Sequence, residues 1–110
     1  MVFDKTATAT VVSHKGGSFL SFKKGFEEAY PELQNEHLII DLIAVSEVNL
    51  DAILYFKTLS STHRSRHKSF VVVADQVHFD ELPDTLMVTP TITEAKDILD
   101  MEEIERDLGL

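Results

Sequence analysis

Two apolar runs constrain this chain more than any other feature. His37-Leu38-Ile39-Ile40-Asp41-Leu42-Ile43-Ala44-Val45 is nearly uninterrupted, and Phe70-Val71-Val72-Val73-Ala74 is wholly so. A strand with one face in water alternates apolar and polar residues. A strand without that alternation needs cover on both faces, as helices provide in a parallel sheet. We therefore expect these two segments to be adjacent central parallel strands.

The intervening stretches suit that role. From Asn49, a good N-cap, Ala52, Ile53, Leu54, Tyr55, Phe56 and Leu59 form one broad apolar stripe of a helix. Earlier, Ala7–Ser13 is rich in Thr and Val and reads as a strand, broken by a turn at Gly16-Gly17. Phe19, Phe22, Phe26, Ala29, Tyr30 and Leu33 then recur at helical spacing, with Ser18 as cap and Pro31 expected to end the helix. Ser18–Phe22 also fits the second strand of a hairpin, so both readings stay open there. Asp75–Asp84 reads as a short irregular connection, Leu86-Met87-Val88 as a third short strand, and Thr91-x-x-Glu94 as the capping box of a last helix. Consecutive β-then-α units imply right-handed crossovers. The expected fold class is α/β: a mixed sheet with helices packed against it, in one domain over residues 1–110.

The last helix has two apolar sets. Ala95, Ile98 and Leu99 share one face, while Met101, Ile104 and Leu108 lie well round the cylinder. Either the helix bends near Asp100 and the second set covers another part of the domain, or that set meets a partner chain. We expect the bend. The second case would make the chain an oligomer, so the oligomeric state stays open.

Charge narrows the partners. The formal net charge is −9, which disfavours nucleic acid and anionic lipid. Residues 91–110 carry seven acids (Glu94, Asp97, Asp100, Glu102, Glu103, Glu105, Asp107) against Lys96 and Arg106, a distribution that would steer a basic partner. The basic residues cluster instead at His63-Arg64-Ser65-Arg66-His67-Lys68, expected at a water-exposed helix end. With no cysteine, no leader-like segment at Met1–Thr10 and no apolar stretch of spanning length, the expectation is a cytoplasmic protein without a membrane segment.

Leu38–Ala52, with its Asp41-Leu42 pair followed by Ser46, Asn49-Leu50-Asp51-Ala52, resembles the signature of STAS domains, the family of the bacterial anti-sigma factor antagonists. In that family a buried strand ends in an Asp-Leu pair, and a loop leads to Asp-Ser-Ser-Gly at a helix start. The resemblance implies a STAS-like mixed sheet and a regulatory module that docks on a protein partner through the Val45–Phe56 segment, with Ser46, Asn49, Leu50, Asp51 and Ile53 as contact residues. The serine that partner kinases phosphorylate in regulatory members corresponds to Asp51. No hydroxyl remains there, and the fixed carboxylate carries about half a phosphate's charge. Pro90–Gly109 also resembles the end of short bacterial proteins that often carry a ribonuclease Z label, but the His-x-His-x-Asp-His metal motif of that enzyme is missing.

No constellation of residues supports catalysis. The serines lack a base at identifiable spacing, and Asp41 reads as a tether at a strand end. His63 and His67 are spaced i, i+4 like two metal ligands, but Arg64, Arg66 and Lys68 would repel a cation. The expectation is a non-enzymatic interaction module with no cofactor and no metal. The alternatives are an RNA-processing accessory factor that uses His63–Lys68, and a small-ligand or nucleotide sensor with its site near the Asn49 helix start.

Overall fold

The computed structural model describes residues 1–109. Leu110, the last residue of the expected domain, lies outside the described residues. The elements run β1 (Val2–Lys5), β2 (Thr10–Ser13), α1 (Phe19–Leu33), β3 (Leu38–Asp41), α2 (Leu50–Leu54), α3 (Phe56–Ser65), β4 (Phe70–Val73), a 3₁₀ turn (Phe79–Glu81), β5 (Val88–Thr89) and α4 (Ile92–Asp107). The sheet order is β1-β2-β3-β4-β5. β1 pairs antiparallel with β2, and every other pairing is parallel.

β3 and β4 are the adjacent inner strands their apolar runs require, with Leu38 opposite Phe70 and Ile40 opposite Val72. Successive residues of a strand face opposite sides, so each run feeds two cores. Val12, Leu38, Ile40, Phe70 and Val72 pack with Phe22 and Phe26 of α1 and with Ile53 and Phe56 of α2 and α3. Val11, Ile39, Val71 and Val73 pack with Ala95 and Leu99 of α4. The result is three layers, with α1 to α3 on one face of the sheet and α4 on the other.

Several boundaries differ from expectation, each for a local reason. The strand expected at Ala7–Ser13 starts at Thr10, because Thr6 to Ala9 form a turn. In that turn the Thr6 N–H and hydroxyl both donate to the Ala9 carbonyl. The turn pairs β2 with β1, an edge strand that the sequence pattern did not reveal. Phe19–Phe22 is helical rather than a hairpin strand, while Ser18 is extended, bridges Ser46 and caps the helix, its hydroxyl accepting from Ser21 N at 3.2 Å. Nor does Pro31 end α1, which continues to Leu33. Pro31 is exposed in the last turn, and Leu33 is buried in the core just beyond it. Gly25 sits mid-helix, where a Cβ would lie 3.0 Å from the methyl at the end of the flexible Met1 side chain.

The strand expected over His37–Val45 ends at Asp41. There the Asp41 carboxylate accepts from Ile43 N at 3.0 Å and turns the chain. The single helix expected after Asn49 is divided at Tyr55 into α2 and α3. The last strand is Val88–Thr89, while Leu86 turns into the core.

The largest departure is α4. No bend occurs near Asp100, and the helix is continuous from Ile92 to Asp107. Its inward side begins apolar with Ala95 and Leu99, then continues with Glu102 and Arg106. The Glu102 carboxylate accepts from Arg64 at 2.8 Å and from the Ser69 hydroxyl at 2.6 Å, and Arg106 donates to the same hydroxyl at 2.5 Å. Arg64 also donates to the Phe70 carbonyl at 3.0 Å. A polar latch thus holds the second half of α4 on the sheet. It leaves Met101, Ile104 and Leu108 outside, 61%, 59% and 68% exposed, so they cover no other part of the domain.

Candidate functional site

β3 delivers the chain to the loop at the carboxyl end of the sheet, and two anchors fix that loop. Val45 and Val48 are buried in the core, so the residues between them are displayed between two anchored points. Ser46 is tied to the turn before α1. Its N–H and hydroxyl donate to the Gly17 carbonyl at 2.9 and 3.1 Å, and its own carbonyl accepts from Phe19 N at 3.0 Å. Glu47, at the loop tip, holds φ of +64°, a left-handed conformation that is rare outside glycine and asparagine.

Asn49 caps α2, its side-chain oxygen accepting from Ala52 N at 2.9 Å. Asp51 follows in the first turn, exposed to water and favourably placed against the helix dipole. Leu50 is half-buried. Ile53 is a correction to the expected contact set. Its side chain is fully buried against the sheet, because the inward stripe of α2 includes it, so it supports the surface without reaching a partner. Ser46, Asn49, Leu50 and Asp51 remain at or near the surface.

A neighbouring element that sequence reasoning missed completes the surface. Phe19, Leu20 and Lys23 of α1 face Glu47, Asn49, Asp51, Ala52 and Tyr55 across a shallow groove of about 360 Å³. Leu20 is 73% exposed, the most exposed large apolar side chain among the described residues. Lys23 lies with its ammonium 4.7 Å from the centre of the Tyr55 ring, and the Tyr55 hydroxyl donates to Glu27 at 3.0 Å. Burial and that hydrogen bond push the Tyr55 hydroxyl up to about 12, so it stays protonated near neutral pH. One signal for this wall was present in the sequence: Leu20 is apolar yet lies off the Phe19-Phe22-Phe26 face of its helix.

The groove has an apolar floor, one ammonium and two displayed carboxylates. That composition suits recognition of a polypeptide surface, and the Tyr55 hydroxyl bonded to Glu27 is held in its protonated form. Among the described residues, no group of three acids or histidines is placed to hold a metal ion.

The basic cluster is used differently from its expected role. His63 is no part of an exposed helix end but is fully buried. Its Nε2–H donates to the Glu36 carbonyl at 2.6 Å, which leaves Nδ1 to accept from the Tyr30 hydroxyl at 2.7 Å. His67 lies beyond the end of α3 at φ +63°, so the two histidines do not share a face. Arg64 is occupied by the α4 latch, and Arg66 donates to Gln34 at 3.2 Å. Glu102 and Glu105 line the same recess as His67 and Lys68, which opposes an RNA backbone there.

Burial lowers the pKa of His63, and burial with nearby Arg106 and Lys68 lowers that of His37. A lowered folded-state value means the unfolded chain binds protons first, so stability rises with pH through this window. The contribution is complete above the ordinary value of 6.5 and is lost as pH falls below it. The expected result is a histidine NMR titration with the His63 midpoint below 6.5 and a melting temperature that falls on acidification. A His63 midpoint above 6.5 would contradict the buried neutral tautomer.

The architecture defines the class: a single α/β domain with a five-stranded mixed sheet. No protein-family model matches the chain, and no curated protein matches it. No helix among the described residues is long and apolar enough to cross a membrane.

Proposed function

We propose that this domain is a non-enzymatic regulatory interaction module of the STAS, anti-sigma factor antagonist type, docking on a protein partner through the groove between α1 and α2. The observation that carries the reading is the anchored display of the loop after β3. Buried Val45 and Val48 and the Ser46–Gly17 hydrogen bonds hold it beside the exposed Leu20. A preorganised surface loses little conformational entropy on binding. The family resemblance supports the same location, since β3 ends at Asp41 and the following loop enters a helix capped by Asn49. Asp51 replaces the phosphorylated serine, so the reading takes binding without a phosphorylation switch at that position.

The test is affinity capture from the native cell with wild-type protein and with Leu20→Glu/Asp51→Lys. Both residues are exposed, so the variant should remain folded, with a loss of about 1 kcal/mol at most from the reversed charge at the start of α2, which a melting curve verifies. A partner retained by the wild type and reduced at least tenfold with the variant supports the proposal. Equal recovery by both proteins would place docking elsewhere. Binding of a nucleotide or other small molecule in the groove, without a protein partner, would favour the sensor reading.

A further inference from the structure

A second surface lies on the opposite layer of the molecule. Because α4 is unbroken, Met101, Ile104 and Leu108, spaced i, i+3 and i+7, form one line along its outer side. Monomeric domains rarely expose three large apolar side chains in a single stripe without a use for them. The surroundings of the stripe are acidic. Asp97 and Glu105 lie one turn either side of Met101, and Asp100 and Asp107 one turn either side of Ile104, all four exposed. Of the two bases on this helix, Arg106 is turned inward to Ser69 and Glu102, so Lys96 alone offsets the field.

We infer that the outer face of α4 is a docking site for a basic amphipathic helix of another protein. Apolar residues of that helix would cover Met101, Ile104 and Leu108, and its flanking Lys or Arg residues would meet the four carboxylates. Charge selects this occupant. A second copy of α4 would bring two rows of acids together, and an anionic membrane surface would be repelled. The length agrees, because the stripe runs over about two turns, the reach of one apolar face of an amphipathic helix. The face is separated by the sheet from the α1–α2 groove, so this site stands or falls independently of the proposed function.

The probe is a synthetic amphipathic peptide of leucine and lysine, titrated into ¹⁵N-labelled protein, with a leucine–glutamate peptide of the same pattern as control. The expected result is chemical-shift change confined to α4 and no binding of the control. Ile104→Glu/Leu108→Glu adds two negative charges, so generic attraction for the basic peptide would strengthen in this variant. Docking on the stripe would instead weaken at least tenfold. The replaced side chains are mostly in water, and an unchanged melting temperature verifies that the variant is folded. Equal or tighter binding by the variant, shifts outside α4, or equal binding of the acidic control would each overturn the inference. So would wild-type self-association, seen by light scattering and abolished in the variant, since the occupant would then be a second copy.

Discussion

Val72→Asp is expected to abolish the folded state. Val72 is fully buried on β4, facing the core shared with α1, α2 and α3, and pairs with Ile40 on one side and Val88 on the other. The substitution removes an apolar side chain worth about 1.5–3 kcal/mol of burial. It also introduces a carboxyl group with no partner, which must either carry an unsolvated charge or take up a proton. A shift of 3–5 units in a buried carboxyl corresponds to roughly 4–7 kcal/mol near neutral pH. The combined cost reaches the whole stability of many domains, about 5–15 kcal/mol. The chain has no tryptophan, so methyl proton NMR and near-ultraviolet tyrosine signals are the readouts. Both should collapse to those of an unfolded chain, with no cooperative melting transition. Val72→Ala, which leaves a cavity but no charge, should remain folded and lose about 1–3 kcal/mol. A Val72→Asp protein that melts like the wild type would show that β4 is not an inner strand.

Glu102→Ala is expected to have the next largest effect, although the residue is one acid among many in its helix. Its carboxylate joins three groups, accepting from Arg64 and the Ser69 hydroxyl and lying 3.7 Å from Arg106. Its side chain is only 17% exposed. Removing it leaves the Arg64 and Arg106 guanidinium groups near the buried Ser69 without their shared counter-charge. Breaking a fully buried pair costs about 3–5 kcal/mol, and the partial exposure of both arginines reduces this to about 2–3 kcal/mol. The melting temperature should fall by ~10 °C or more. Amide exchange should accelerate in the second half of α4 before the rest of the helix. Glu103→Ala, an exposed neighbour, serves as control and should stay within ~0.5 kcal/mol of wild type. Equal melting of the two variants would mean that the latch contributes nothing.

The same latch explains where sequence reasoning failed. Reading α4 by its apolar residues alone produced two stripes that no straight helix could bury together, hence the expected bend. The assumption that inward positions are apolar held for Ala95 and Leu99 but not for Glu102 and Arg106. Their partners, Arg64 and Ser69, lie more than thirty residues away in sequence, and no local pattern announces such a contact. His63 misled in the same way. Set among arginines and a lysine it reads as exposed, yet the Glu36 carbonyl and Tyr30 hydroxyl satisfy both of its nitrogens inside the fold.

The site was half legible. Asn49 as a helix cap and Asp41 as a strand-end tether are local devices, made by hydrogen bonds to residues two or three positions away, and their residue types suggest them directly. The groove wall from α1 and the Ser46–Gly17 tie were not legible, because they depend on how two distant segments meet.

What this sequence determined by itself is what short-range physics controls: the two buried strands, their parallel crossover, the caps at Ser18, Asn49 and Thr91, and the acidic character of the last helix. Tertiary structure alone decided which residues face inward on α4, that His63 of the basic cluster is buried, and that Leu20 stands beside Asp51. A strand or a cap is stabilised by neighbours along the chain, so its signal is local. An inward glutamate, a buried histidine or a groove gains its stability from groups that only the folded chain brings within hydrogen-bond reach.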